Sequence, residues 1–285
     1  MKFIMLFVLS LTCSLHAAKT VYPLTNDPID VVLVTHPKDV DTLDMCIHGI
    51  RSNGKNIGRV IVVSSEPLSD DAEWFDESLY PFTKADVALQ IGHEDHQKAE
   101  QFFARGGHPV GWYYQQLLKL YAAYVIPDIS PNVLVIDSDS VFVAPVEFLN
   151  EHNGGLFCFN PKKPTKGHYC KHAQRMLPSY QKIYPDINSV NHHMLFQKPI
   201  LDDMFQEIEN HHQMPLWKVF CRQVDTERKW GSGSEYELYY NFALNHTDQV
   251  GLRQIIRRSS SNIDRLEEYK NEGYSLISFH SYMRK

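Results

Sequence analysis

Short apolar runs separated by polar turns recur through the first half of the chain and predict an α/β fold. Residues 29–35 form one such run, a helical pattern follows as far as Ile50, and residues 59–64 form a second run. A strand, a helix and a second strand joined by short connections favour a right-handed crossover and a parallel sheet. We expect a third strand at 85–90 and a polar loop at 91–107.

The segment 132–143 has the most informative pattern. Its apolar residues 133–136 are typical of a strand that is buried on both faces of a parallel or mixed sheet. Asp137 and Asp139 follow at the carboxyl end of this strand, where open α/β sheets bind ligands. Carboxylates two residues apart in extended chain face the same side and suit Mg²⁺ or Mn²⁺ shared with a substrate phosphate. A polar turn after a strand gives the same pattern.

The remaining pattern predicts one domain. Residues 110–126 place large side chains on one helical face, which favours core packing, and leave Gln115, Gln116 and Lys119 off that face. Because no linker or repeat divides the chain, we expect a single domain over 19–285. The other expected elements are strands at 154–159, 189–197, 250–256 and 275–279, helices at 200–211, 215–224, 235–244 and 263–270, and a flexible insertion at 162–186.

The first 18 residues have the pattern of a cleavable signal peptide. Lys2 precedes an apolar core at 3–11, and small residues stand at 17 and 18. The core is short for a membrane span, so a retained anchor is the weaker interpretation, and no later stretch predicts a membrane helix. We therefore expect an exported protein, located in the periplasm, outside the cell or in the secretory-pathway lumen.

The net charge and the cysteine content limit the partners and the kinds of site that the protein is expected to have. The formal net charge of -6 and the lack of a segment dense in Lys and Arg argue against a nucleic-acid partner. An export compartment permits disulfides, and the four cysteines after the signal peptide allow three pairings among which the sequence does not choose. None of them has the Cys-x-x-Cys spacing of a zinc or redox site, so we expect structural roles for Cys46, Cys158, Cys170 and Cys221.

Four segments occur in an order that resembles glycosyltransferases of the GT-A fold, particularly the glycogenin-like and galactosyltransferase-like groups. They are Asp137-Ser138-Asp139 after a strand, Asn191-His192-His193-Met194-Leu195-Phe196 on a later strand, Ser234-Glu235-Tyr236-Glu237-Leu238-Tyr239-Tyr240-Asn241 opening a helix, and Phe279-His280. Residues 111–119 are similar to a segment of uncharacterised proteins classed as nucleotide-diphospho-sugar transferases. The resemblance extends over nearly the whole expected domain.

This resemblance implies a single GT-A-like, Rossmann-like domain whose mixed, mostly parallel central sheet is flanked by helices. It implies a metal-dependent hexosyltransferase that moves a sugar from a nucleotide-diphosphate-sugar donor, with UDP favoured, to a hydroxyl of a glycan, lipid or protein. The cofactor would be Mn²⁺ or Mg²⁺, and a histidine ligand would favour Mn²⁺. The chain departs from the glycogenin-like pattern at His192-His193, where that group has small residues, and at Glu-Tyr-Glu, which replaces an Asp-rich motif.

The roles that the resemblance implies fall into four groups. The metal ligands would be Asp137, Asp139 and His280, and the catalytic carboxylates on the acceptor side would be Glu235 and Glu237. The nucleotide would contact Thr35, His36, Gln115, Gln116, Lys119 and Ser138. The sugar or acceptor would contact Asn191, His192 and His193.

Each group also has an ordinary explanation. Asp137 and Asp139 could belong to a polar turn, and His280 could lie in a frayed, solvent-exposed tail. The two glutamates could be first-turn charges that the helix dipole favours. The two histidines alternate across a strand, so at most one of them faces the site. The polar residues of 115–119 could be a solvated helix face.

Two rival functions use the same residues. A phosphatase of the haloacid dehalogenase type would use Asp137 as nucleophile and Asp139 as acid/base, although that motif normally opens its domain. A non-catalytic sugar-binding protein would keep the fold without turnover.

Overall fold

The computed structural model describes residues 19–159, 161, 165–230, 232–280 and 282–283. The strands in this part of the chain are β1 (Ile29–Val34), β2 (Ile57–Ser64), β3 (Glu73–Asp76), β4 (Asn132–Ile136), β5 (Ser140–Phe142), β6 (Leu156–Cys158), β7 (His193–Gln197), β8 (Gly251–Arg253), β9 (Arg257–Ser259) and β10 (Leu276–Ser278). The helices are α1 (Val40–Asn53), α2 (Lys84–Ile91), α3 (His96–Ala104), α4 (Val110–Val125), α5 (Gly167–Met176), α6 (Lys198–His212), α7 (Leu216–Arg222), α8 (Glu235–His246) and α9 (Leu266–Asn271). The expected signal peptide, residues 1–18, lies outside the described residues.

The central sheet has the strand order β3-β2-β1-β4-β7. The first four strands are parallel, and β7 runs antiparallel to β4 with Ile136 opposite His193. Every residue of β1 and β4 is buried, as the apolar runs predict. The buried carboxylate of Asp30 accepts hydrogen bonds from the backbone N–H groups of Arg59 and Ser130, at 2.8 and 2.9 Å. The expectation of a mixed, mostly parallel sheet is confirmed.

The two faces of the sheet lie in separate apolar cores because side chains alternate along each strand. Val32 and Val34 of β1 belong to the core that contains α4, whereas Val31 and Leu33 belong to the core that contains α1. Gly49 lets α1 approach β5 closely, since an added Cβ would lie 2.8 Å from the carbonyl oxygen of Phe142. The sheet is thus covered by helices on both sides.

A small second sheet brings the late part of the chain to the end of β4. Its strand order is β5-β10-β9, and β5 begins directly after Asp139. The Ser140 and Ser278 hydroxyls lie 2.9 Å apart, and the Phe279 N–H donates to the Asp139 carbonyl at 2.7 Å. His280 therefore lies beside the Asp137-Ser138-Asp139 segment.

Two local predictions are wrong, and one strand is not predicted. The predicted strand at 85–90 is helix α2, which begins with a reciprocal capping box between Thr83 and Asp86. The predicted loop at 91–107 contains helix α3, which is capped by the Asp95 side chain. The sequence prediction also omits β3, a short, partly exposed edge strand in which two acidic residues flank two aromatic residues.

The four cysteines of the described part are free thiols, although the expected compartment permits disulfides. They lie on α1, β6, α5 and α7, in different parts of the domain. No helix among the described residues has both the length and the apolar character needed to cross a membrane.

Candidate functional site

Two adjoining cavities open at the carboxyl ends of β1 and β4. The first has a volume of about 510 Å³ and lies between the end of β1 and the first turns of α4. The second, of about 270 Å³, lies over Asp137, Ser138 and Asp139. Both are lined by Lys38, Asp39, Trp112 and Gln115, so they form one continuous cleft. This is the edge at which open α/β sheets bind ligands.

The first cavity contains the two residues predicted to contact the nucleotide after β1. Thr35 and His36 line its floor, and the His36 ring nitrogen Nδ1 accepts a hydrogen bond from the Lys38 N–H at 3.2 Å. Gln115 of α4 donates its amide to the Val34 carbonyl at 3.1 Å, which ties the helix to the end of β1. The predicted residues Thr35, His36 and Gln115 therefore lie together.

A buried lysine is the centre of charge in the second cavity. Lys119 Nζ lies 2.5 Å from Asp137 Oδ1 and 3.1 Å from Glu235 Oε1, and it also donates to the Tyr236 hydroxyl at 3.1 Å. Burial alone would lower the lysine pKa, but Asp137, Tyr236 and Glu235 together raise it well above its usual range. Lys119 is therefore a permanent cation between two carboxylates and does not belong to a solvated helix face.

The two carboxylates respond differently to this cation. Burial tends to raise the pKa of Asp137, but Lys119 and His192 outweigh it and hold that pKa well below its usual range. Burial raises the pKa of Glu235, and Lys119 offsets this effect only in part. Glu235 is thus the better proton acceptor of the two near neutral pH.

Asp139, His192 and His280 form a cluster that could hold a metal ion. One ligand atom from each residue lies within 4.8 Å of the other two. Asp139 Oδ2 lies 3.3 Å from His280 Nδ1, and the two imidazole centroids are 4.9 Å apart. One carboxylate and two imidazoles suit a first-row divalent ion such as Mn²⁺ better than they suit Mg²⁺.

Asp137 lies beside this cluster and contacts it through His192. Its Oδ2 lies 3.1 Å from His192 Nδ1, and its Oδ1 is bound to Lys119. A hydrogen bond from Nδ1–H to a carboxylate fixes the imidazole tautomer and leaves the lone pair on Nε2. Both carboxylate oxygens of Asp137 are thus engaged by side chains.

Helix α8 begins at the second cavity. Gly233 has a φ of +121°, which favours glycine, and Ser234 caps the helix by accepting from the Glu237 N–H. Glu235 donates its N–H to Gln116 Oε1 at 3.2 Å, so the start of α8 is fixed against α4.

Asn191 lines the same cavity from the loop before β7. Its amide donates to the Cys158 carbonyl at 2.6 Å. Its Oδ1 is buried and has no hydrogen-bond partner within the described residues. This oxygen can accept from a ligand hydroxyl.

Two predicted site residues lie elsewhere. Glu237 is fully buried and does not line either cavity described above. Its carboxylate accepts hydrogen bonds from five side chains, namely Cys170, Tyr180, Lys182, Ser189 and Asn241. It thereby fastens the segment 165–190 to α8.

His193 points away from the cleft, as the alternation along β7 requires. Its ring packs edge-on against Phe142 and Phe148, with centroids 5.1 and 6.0 Å away, and neither ring nitrogen has a partner in the described structure. Burial lowers its pKa well below the usual value, so it is neutral. Of the two adjacent histidines, only His192 faces the site.

A model of a family of unknown function, DUF6492, matches residues 18–267. The chain belongs to this family. No curated protein matches the sequence.

Two solved structures are similar to the DUF6492 domain at low sequence identity. The mannosyltransferase Ktr4p from S. cerevisiae is 10% identical, with a TM-score of 0.54 over 82% of this chain and 70% of that chain. Mouse xyloside xylosyltransferase 1 is 13% identical, with a TM-score of 0.39 over 88% of this chain and 97% of that one. The likeness to Ktr4p confirms that the domain has the fold of a glycosyltransferase.

The sequence reasoning missed three aromatic residues of the site in this DUF6492 member. Trp112 lines both cavities, whereas Tyr169 and Tyr236 line the second. Trp112 lies within the segment 111–119 that carries part of the resemblance, which is the only sequence pattern that points to it. Tyr236 lies between Glu235 and Glu237, the two predicted catalytic residues, and no sequence pattern assigns a role to Tyr236 itself.

Proposed function

We propose that the protein is a metal-dependent glycosyltransferase that uses a nucleotide-diphosphate-sugar, with UDP as the favoured nucleotide. The observation that carries the proposal is the cluster of Asp139, His192 and His280 beside a cleft at the carboxyl ends of β1 and β4. The glycosyltransferase fold supports it. The first cavity, at about 510 Å³, is of a size that suits a small-molecule ligand.

The metal would be held by Asp139, His192 and His280, with Mn²⁺ preferred to Mg²⁺. When bound, a divalent ion offsets the charge that develops on a departing diphosphate. Asp137, which the resemblance makes a ligand, would instead orient His192 through Nδ1 while Lys119 holds Asp137 in place. Asp139 would thus bind the metal directly, whereas Asp137 would orient one of the other metal ligands.

The donor would span both cavities. Thr35, His36 and Gln115 would contact the nucleoside, and Ser138, Gln116 and Lys119 would lie near the diphosphate or sugar. Asn191 would accept from a sugar hydroxyl through its unpartnered Oδ1.

Glu235 would act on the acceptor. The acceptor oxygen attacks the anomeric carbon, the bond from that carbon to the diphosphate oxygen breaks, and the acceptor proton passes to the Glu235 carboxylate if the reaction inverts. Its raised pKa supports this role, which is typically worth about 10²- to 10⁴-fold in rate. Glu237 would support the site by fastening the segment 165–190.

The experiment measures nucleotide binding by isothermal titration of UDP and GDP, with and without Mn²⁺, to the wild-type protein and to Asp139→Asn, His280→Ala and Glu235→Gln. We expect Mn²⁺-dependent UDP binding that the first two variants lose and Glu235→Gln keeps. His152→Ala is the matched control, because that side chain is 72% exposed. The proposal is refuted if neither nucleoside diphosphate binds with Mn²⁺ or Mg²⁺.

Product analysis separates the rival functions. A transferase releases nucleoside diphosphate from the donor, a phosphatase releases inorganic phosphate, and a sugar-binding protein releases neither. We expect nucleoside diphosphate, with its release lost in Glu235→Gln.

A further inference from the structure

Two arginines near the cluster of Asp139, His192 and His280 have no acidic partner at ion-pair distance among the described residues. Arg253 ends β8 and Arg257 begins β9. Nε and Nη2 of Arg253 and Nη1 of Arg257 are buried without a hydrogen-bond partner in the described part of the chain. The guanidinium of Arg253 lies 4.8 Å from the centre of the Phe148 ring, and Glu147, the carboxylate that acts on it, is exposed and paired with Lys55 at 2.8 Å.

Such an arrangement is costly for a native protein. Burial lowers the pKa of both guanidinium groups, that of Arg253 to about 10, yet both remain charged at neutral pH. Buried charges are normally paired, because losing hydration without a counter-ion costs several kcal/mol. The two side chains also act on the same neighbours, Cys158 and His193, so their charges add in one place.

Strand pairing places both arginines on the flank of the site. Arg253 pairs with Cys158 in the parallel β6-β8 ladder, and the Cys158 carbonyl holds the amide of Asn191. Arg257 is two residues before Ser259, so both side chains lie on the same face of β9. The Ser259 hydroxyl is 3.4 Å from His280 Nε2. Neither arginine lines the two cavities assigned to the donor.

We propose that Arg253 and Arg257 form a subsite for an anionic group of the acceptor, a carboxylate or a phosphate. The inference rests on the proposed function, since it places the donor in the two cavities and the acceptor beyond Asn191 and His280. Paired guanidinium groups bind such anions through parallel hydrogen bonds that a lysine does not reproduce. The acceptor would therefore be an acidic glycan, lipid or peptide.

The test uses inorganic phosphate as probe, titrated into the metal-free full-length mature protein and followed by calorimetry and by thermal unfolding. We expect saturable binding that raises Tm in the wild type and weakens at least 10-fold in Arg253→Met/Arg257→Met. Arg253→Lys/Arg257→Lys should recover only part of it. Arg228→Met, an exposed arginine, is the control and should bind phosphate as the wild type does.

The unliganded Tm tests whether the arginines are only structural. Removing two unpaired, partly buried charges should leave Tm unchanged or raise it. A lower Tm in Arg253→Met/Arg257→Met overturns the subsite, as does a wild type that does not bind phosphate.

Titration with UDP and Mn²⁺ distinguishes the sources of the anion. We expect equal UDP affinity in the wild type and in the double methionine variant, with or without saturating phosphate. A 10-fold loss of UDP affinity in the variant would assign the arginines to the donor diphosphate and overturn the acceptor subsite. Failure of the wild type to bind either UDP or GDP would refute the proposed function instead, whatever phosphate does.

Discussion

Replacing Lys119 by Met removes the cation that separates the buried carboxylate of Glu235 from the partly buried carboxylate of Asp137. Asp137 Oδ1 and Glu235 Oε1 both lie within 3.1 Å of Lys119 Nζ, so they are at most about 6 Å apart. Two negative charges at that separation repel by about 3 kcal/mol at an effective dielectric constant of about 20. Breaking a buried ion pair by removing one partner costs about 3 to 5 kcal/mol. We expect Lys119→Met to lower the free energy of unfolding by an amount in this range at pH 8.

The cost should depend on pH. Burial raises the pKa of Glu235 and Lys119 offsets part of that effect, so without the cation this pKa rises further above its unfolded value. Between those two pKa values the folded variant binds more protons than the unfolded chain, so its stability increases as pH falls. The deficit relative to wild type should therefore shrink between pH 8 and pH 5.5.

Urea unfolding at the two pH values measures this deficit. Lys119→Met/Glu235→Gln should recover at least half of the loss at pH 8, because only one carboxylate remains. Lys98→Met, which removes a lysine that is 69% exposed, should change stability by less than about 0.5 kcal/mol. A loss below about 1 kcal/mol at pH 8, or a loss that does not change with pH, would refute the charge arrangement described for the second cavity.

Two further predictions concern the stability of parts of the fold away from Asp139, His192 and His280. Burial lowers the pKa of His172 to about 4. Below pH 6.5 the unfolded chain therefore binds a proton that the folded protein does not, and the free energy of unfolding decreases as the pH is lowered. Comparing urea unfolding at pH 7.5 and 5.5, we expect His172→Gln to remove roughly 1.3 kcal/mol of this fall, whereas the exposed-site variant His152→Gln keeps it. Glu237→Ala leaves Lys182 and Ser189 without their buried partner, and should cost about 3 to 5 kcal/mol and increase proteolysis within 165–190. Wild-type stability and cleavage in Glu237→Ala would contradict the fastening role.

The sequence predicts the parallel sheet well because β1, β4 and the second half of β2 are buried on both faces, and such strands consist of continuous apolar runs. The prediction of secondary structure fails where the apolar content of a short segment does not indicate its conformation. Residues 85–90 read as a strand, but the reciprocal bonds between Thr83 and Asp86 initiate a helix there. The edge strand β3 has one partner and exposed side chains, so no periodic apolar pattern marks it.

In the site too, features set by neighbouring residues can be predicted from the sequence, whereas contacts between residues far apart in the chain cannot. The pair Asp137 and Asp139 is visible in the sequence because it directly follows a buried strand. The environment of Lys119 is not, since its partner Glu235 is 116 residues away and one helical period of sequence cannot tell a buried ion pair from a solvated charge. Likewise, the contact between Asp137 and His192 depends on β7 running antiparallel to β4, a register that is set by the whole sheet.

The position of His280 has a consequence for the order of folding. The imidazole meets Asp139 across 141 residues of sequence, and only the pairing of β10 with β5 brings them together. Closing so long a loop costs chain entropy before any contact repays it, and pairings of this kind form slowly. The parallel sheet, whose strands β1 and β2 are close in sequence, can form earlier. Recovery of the proposed metal affinity during refolding would therefore lag behind recovery of the sheet, and its rate would report when the last strand docks.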